Sequence, residues 1–158
     1  MDSVMRGLRP GDRGAIENLL FSTDVFRPAE IDVAMELVDA VLSKPDQSDY
    51  TFALAEVDGQ VAGYACWGAT PCTEGTFDLY WIATSPAFQG RGIGRRLMEV
   101  AESDMRSRGG RLCVIETSSL PKYEPTRRFY LGLGYFEAGV IRDFYTAGDH
   151  KVIYTRVP

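Results

Sequence analysis

Three glycines within five positions, Gly90, Gly92 and Gly94 in "SPAFQGRGIGRRL", follow the aromatic and branched run "TFDLYWIAT". Glycine is costly inside regular structure, so such a cluster marks backbone that turns sharply or is closely approached. Beyond it Ile93, Leu97, Val100, Ala101 and Met105 recur at helical spacing, which predicts a helix over 91–108, stopped by Gly109-Gly110. "RLCVIET" then reads as a strand. Strand, loop, helix and strand in that order, Thr76–Thr117, require a parallel pair joined by a right-handed crossover. The rest of the chain has to be built around that unit.

The flanking segments supply antiparallel partners. "SVMRGLRP" reads as a first strand and "DRGAIENLLF" as a helix opening at Asp12. In "PAEIDVAMELVDAVL" Pro28 suits a first helical turn, and Ile31, Met35, Val38 and Leu42 form one stripe. "YTFALAEVDGQVAGYACWG" reads as two strands around the tight turn Asp58-Gly59. A short helix is predicted over Pro125–Leu133, ended by Gly134, and "YFEAGVIRDFY" and "KVIYTRV" form a last antiparallel pair. The predicted fold is α/β: a mixed, mostly antiparallel seven-stranded sheet flanked by about four helices, with the parallel β-α-β unit in the middle. No repeat, low-complexity tract or linker interrupts the 158 residues, so 1–158 reads as a single domain.

Charge and composition narrow the partners. The net charge of −5 does not favour nucleic acid. Residues 1–80 hold 5 basic and 14 acidic side chains, and residues 81–158 hold 12 and 8, an asymmetry that suits a cationic substrate beside an anionic cosubstrate. Two solvated faces of one domain would give the same asymmetry. Cys66, Cys72 and Cys113 lack disulfide or metal spacing, and Cys66 and Cys113 read as small core residues, which fits a reducing, cytoplasmic setting. The first residues have no apolar signal core and no stretch is long enough to span a bilayer, so no membrane role is expected. The only histidine, His150, falls in a predicted turn beside Gly148 and Asp149, so neither a metal centre nor a serine–histidine relay is expected.

Amides freed by Gly90, Gly92 and Gly94 at a helix start form a concave set of donors, strengthened by the helix dipole and by Arg91, Arg95 and Arg96. Phosphate is the natural ligand. A nucleotide-triphosphate loop would need G-x-x-x-x-G-K-[ST], and no such lysine follows. The dinucleotide pattern G-x-G-x-x-G fails at Arg95, and Ser85-Pro86-Ala87-Phe88-Gln89 separates the loop from its strand, although Glu116 lies at about the distance of a ribose-binding acid.

The run Gln89-Gly90-Arg91-Gly92-Ile93-Gly94 resembles the [Q/R]-x-x-G-x-[G/A] signature of the GNAT superfamily of N-acetyltransferases. "LYWIATSPAFQGRGIGRRLM" looks like that family's fourth strand, loop and third helix, and "FYLGLGY" like its segment downstream. The resemblance implies acetyl-coenzyme A, with its pyrophosphate on the amides of Gln89, Gly90, Arg91, Gly92, Ile93, Gly94 and Arg95 and its pantetheine arm along Ile82, Ala83 and Thr84. It implies that Tyr130 protonates the departing thiolate and that Asp78, where histone-type members carry a glutamate, serves as base, directly or through water; Glu116 is its rival. Either carboxylate could instead bind the substrate cation. Tyr123 replaces an asparagine common in the family, and Pro121 and Pro125 bracket it, which points to a different acceptor pocket.

The implied acceptor is a primary amine, on a small molecule or on a protein. "FSTDVFRPAE", with Asp24 and Glu30, and "RDFYTAGDHK", with Asp143, Tyr145 and Asp149, are the segments expected to roof it. A monomer and a homodimer through the last strands both fit. A non-catalytic acyl-coenzyme A sensor and an acyltransferase for longer acyl groups or hydroxyl acceptors are the competing readings.

Overall fold

The computed structural model describes residues 2–158. Its strands are β1 (Val4–Arg6), β2 (Thr51–Val57), β3 (Gln60–Ala69), β4 (Thr76–Thr84), β5 (Leu112–Ser118), β6 (Phe136–Thr146) and β7 (Asp149–Arg156). They form a seven-stranded sheet in the order β1-β2-β3-β4-β5-β7-β6. β4 and β5 run parallel, whereas β1–β2, β2–β3, β5–β7 and β6–β7 are antiparallel. The helices are α1 (Arg13–Ser22), α2 (Pro28–Ser43), α3 (Ile93–Ser107) and α4 (Glu124–Gly132). This is the mixed, mostly antiparallel sheet with a parallel unit that the element order predicts. Among the described residues no helix is long and apolar enough to cross a membrane.

Where boundaries differ from the sequence reading, local backbone explains it. α3 opens at Ile93 rather than Arg91, because Gly90 (φ 75°) and Gly92 (φ 74°) are left-handed and cannot belong to a right-handed helix. α1 opens at Arg13, because Pro10–Asp12 winds into a 3-10 turn first. His150 lies in β7, not in a turn; the reversal is made by Ala147 and Gly148, whose φ is 82°. The β2–β3 turn is as expected, with Asp58 and Gly59 both at positive φ.

Two compact units share β4 and α3 along the chain. The first comprises the residues up to Gly68 together with Trp81–Glu102. Its core packs Ile16, Leu19 and Leu20 of α1 and Ile31, Ala34, Met35 and Val38 of α2 with Phe52, Leu54, Tyr64, Cys66 and Ala83 of the strands. Each large apolar side chain so buried contributes roughly 1.5–3 kcal/mol. Arg6 anchors β1, donating to Glu56 at 2.7 Å and to both oxygens of Asp12 at 2.8 Å. The Arg6 guanidinium holds the Asp12 carboxyl below the usual carboxylate range.

The second unit comprises Ala69–Tyr80 and Ser103–Pro158. Phe77, Leu79, Met105, Cys113, Ile115, Tyr130, Tyr135, Val152 and Tyr154 are its buried apolar residues. Gly110 is obligatory at the end of α3, since a Cβ there would stand 2.6 Å from the Met105 carbonyl oxygen, to which the Gly110 N–H donates at 2.7 Å. Cys66 and Cys113 are buried, as their apolar surroundings in the sequence predict, and Cys72 is exposed.

Candidate active site

The glycine loop belongs to the first unit. β4 ends at Thr84, and the Ser85 N–H donates to the Ala62 carbonyl at 2.8 Å, fixing the loop's entry onto β3. A 3-10 turn over Pro86–Phe88 follows, then extended Gln89 and left-handed Gly90 and Gly92. A Cβ at either glycine would meet nothing within 4 Å, so the space above them is open and glycine is required by the backbone angle alone. The Arg96 N–H makes a helical bond to the Gly92 carbonyl at 3.1 Å, which leaves the amides of the preceding first turn as free donors at the positive end of α3.

The three arginines have different roles. Arg91 lies over the Phe88 ring, 5.4 Å from its centroid, and Arg95 is exposed. Arg96 is occupied otherwise: its guanidinium donates to the Ser3 carbonyl at 2.8 Å and to the Ser3 hydroxyl. It ties the N-terminal segment to α3 instead of adding a free charge to the loop.

Gly63 of β3 escaped the sequence reading. A Cβ there would lie 2.9 Å from the Ala83 carbonyl oxygen, 3.1 Å from Ile93 and 3.2 Å from Leu97. This bare patch of strand lets the first turn of α3 sit down on the sheet. A glycine in the middle of a strand run, as in "VAGYA", is the only sign of it in the sequence.

The proton-handling candidates fall in the second unit, and strand register separates them by face. Residues paired across a sheet point to the same side, and neighbours along a strand alternate. Asp78 pairs with Val114, and Leu79 with Ile115. Ile115 in turn pairs with Tyr154, Glu116 with Ile153, and Ser118 with Lys151. Asp78, Glu116, Ser118 and Lys151 therefore share one face. Tyr154 is on the other, and Tyr130 of α4 packs against it with ring centroids 5.9 Å apart.

Tyr130 is buried among Phe129, Tyr135 and Tyr154. That burial pushes its phenol above its ordinary value, because a phenolate there would lose its solvation. The group is a neutral donor at physiological pH. Asp78 is half-buried and accepts the Thr70 hydroxyl at 2.6 Å. Glu116 is exposed and already paired, 2.8 Å from the Lys151 ammonium, which itself lies 3.6 Å from the centroid of the Phe144 ring. Tyr123 is buried.

Several of the acids expected to roof an acceptor are otherwise engaged. The Glu30 carboxylate accepts the Arg27 N–H at 2.6 Å, as a cap on α2. Asp143 accepts the Gly148 N–H at 2.8 Å within the β6–β7 turn. Asp149 is buried rather than on a solvated loop, and accepts the Ser118 hydroxyl at 2.5 Å. Asp24 remains in the α1–α2 connection at positive φ, and Tyr145 is exposed on β6. Among the described residues no group of histidine, cysteine and acidic side chains could hold a metal ion.

β4, the glycine loop, α3 and β5 thus form a parallel strand–loop–helix–strand unit whose loop presents bare backbone at the helix start. The sequence pattern of the acetyltransferase (GNAT) family matches residues 17–135. The chain belongs to that family, and is an acyltransferase by membership. A crystal structure of a protein assigned to the GNAT family from Desulfovibrio desulfuricans is 45% identical, with a TM-score of 0.95 over 99% of each chain. The ribosomal-protein-S18-alanine N-acetyltransferase of Escherichia coli is 18% identical, with a TM-score of 0.78 over 99% of this chain and 94% of its own. The yncA protein of Salmonella typhimurium, solved with its cofactor acetyl-CoA, is 19% identical, with a TM-score of 0.76 over 99% of this chain and 94% of its own. The last two share the fold. No protein of curated function matches the sequence.

Proposed function

We propose that residues 1–158 act as one N-acetyltransferase domain that moves an acetyl group from acetyl-coenzyme A to a primary amine. The observation that carries this reading is the open cradle of backbone over Gly90 and Gly92, at the start of α3, with no side chain to fill it. Such a cradle fits a diphosphate. The amides of Gln89–Arg95 would hold that diphosphate, and the backbone of Ile82, Ala83 and Thr84 the pantetheine arm. When bound, the coenzyme supplies the acyl group already activated as a thioester.

Tyr130 keeps its proton through the physiological range and serves as the acid for the departing sulfur. Asp78 or Glu116, on the opposite face, receives the proton that the amine sheds, directly or through water. Asp78 is the less encumbered of the two, since it holds one hydroxyl while Glu116 is committed to Lys151. No side chain has to act as a nucleophile, because the neutral amine attacks the thioester directly.

The acceptor is an amine on a small molecule or on a protein, and no nucleic acid or membrane partner enters the reading. The Escherichia coli neighbour that modifies a ribosomal-protein alanine supports the protein alternative by fold. Free cysteines in the core support a cytoplasmic setting. A monomer or a homodimer would serve equally.

Calorimetry with acetyl-coenzyme A tests the proposal. Wild-type protein should bind it, and Gly92→Glu should not, because a carboxylate would then occupy the cradle from a backbone angle that disfavours any side chain. Absence of binding by folded wild-type protein would overturn the reading.

A further inference from the structure

The two edges of the sheet are unlike. β1 is three residues long, and its Arg6 is turned to Glu56 and Asp12. β6 is eleven residues long, pairs with β7 alone and is exposed along almost its whole length. A long bare edge is a template for another strand, and proteins blunt it with brevity, proline, lysine or bulges. β6 has neither proline nor lysine. It presents instead Phe136 at 62% exposure, Ile141 at 47% and Val140 at 44%. Apolar surface concentrated in this way on one strand marks an interface.

The charges of this edge say which strand fits it. Glu137 pairs with Tyr154 and Val140 with Val152, so both lie on the face of α4, whereas Ile141 pairs with Lys151 on the other face. Arg142, next along, returns to the α4 face before left-handed Asp143 (φ 53°) ends the alternation. Ala138 is the extra residue of a bulge between Glu137 and Gly139. Discounting it, Glu137 stands two places before Val140 and Arg142 two places after. The strand is therefore its own complement. A second copy running antiparallel, with the twofold axis at Val140, sets Glu137 of each chain against Arg142 of the other. Both side chains are exposed, and among the described residues neither forms an ion pair. On the opposite face Phe136 falls diagonally across from Ile141 of the second copy.

We infer that β6 is the interface of a homodimer, in which two seven-stranded sheets join at Val140 into one continuous sheet flanked by reciprocal Glu137–Arg142 ion pairs. The inference goes beyond the acetyltransferase reading and does not rest on it.

Sedimentation equilibrium of the full chain, from about 1 to 100 μM, reads the association directly. Wild type should be dimeric over the upper part of that range. Val140→Lys sets two ammonium groups together at the axis and should weaken dimerisation at least about tenfold. Glu137→Arg and Arg142→Glu each set like charges opposite one another and should weaken it at least about fivefold. The double variant Glu137→Arg/Arg142→Glu exchanges the charges and should recover to within about twofold of wild type. Such recovery distinguishes a broken contact from a damaged fold. A wild type that stays monomeric at about 100 μM overturns the inference and leaves the edge to a strand of another protein. A dimer that the single variants leave intact also overturns it, because the dimer then forms through another surface. Weakening without recovery in the double variant refutes the register, and the inference with it.

Discussion

Gly63 and Ile93 stand so close that a Cβ on the first would lie 3.1 Å from the Cγ2 of the second, and 2.9 Å from the Ala83 carbonyl oxygen. The side chain could turn aside, but the backbone oxygen could not without moving β4. Gly63→Ala should therefore cost about 1–3 kcal/mol in denaturant unfolding. It should also weaken acetyl-coenzyme A binding, since Ile93 is the residue on which the glycine loop hands over to α3. A variant with lower stability and an unchanged coenzyme affinity would separate the two roles and refute the second.

Tyr64 offers a gain. Its hydroxyl is buried with no hydrogen-bond partner among the described residues, and its ring stacks on Phe52 with centroids 6.1 Å apart. Tyr64→Phe keeps the ring and removes the orphaned oxygen, so unfolding free energy should rise by about 1–2 kcal/mol. A loss of stability would show that the hydroxyl has a partner in solution.

Tyr130→Phe should lower kcat by roughly 10²-fold with little effect on coenzyme binding, the signature of a proton donor. The pH profile carries a sharper expectation. Burial raises the phenol's pKa, so the proton is retained as pH climbs through the ordinary tyrosine range. Wild-type kcat should show no alkaline limb from Tyr130 up to about pH 10. An alkaline limb below that, present in wild type and absent in Tyr130→Phe, would contradict the buried, neutral phenol.

Arg6 and Asp12 set the acid limit of stability. Both side chains are largely buried, and the lowered Asp12 pKa means that its charged form is favoured by folding. The contribution is fully present above the unfolded value near 3.9 and is lost as pH falls through the lower, folded one. Asp12→Asn should cost about 3 kcal/mol at pH 7, and the gap from wild type should close as pH drops below about 4. A gap that stays constant from pH 7 to pH 2 would mean that hydrogen bonding, not charge, holds β1 in place.

The sequence makes legible whatever depends on neighbours along the chain. The Asp58-Gly59 turn, the stripe of α2 and the left-handed glycines before α3 are local chemistry, and each appears where its residue types require it. The parallel crossover follows from element order. Contacts between distant residues were hidden. Ser118 and Asp149 are 31 positions apart, and nothing local distinguishes Asp149 from a turn acid. The ion pair between Glu116 of β5 and Lys151 of β7 likewise has no local sign in the sequence. Arg96 reads locally as added charge beside the loop, because its partner is Ser3, 93 residues away.

The division of the second unit's sheet into a phenol face and a carboxylate face has a consequence for traffic. If both groups serve one transfer, they can meet the same reacting centre only beyond Leu79–Ile115, the last pair in the β4–β5 register, where the two parallel strands no longer stand between them. The chemistry would then be carried in the opening between two strands rather than on either surface of the sheet.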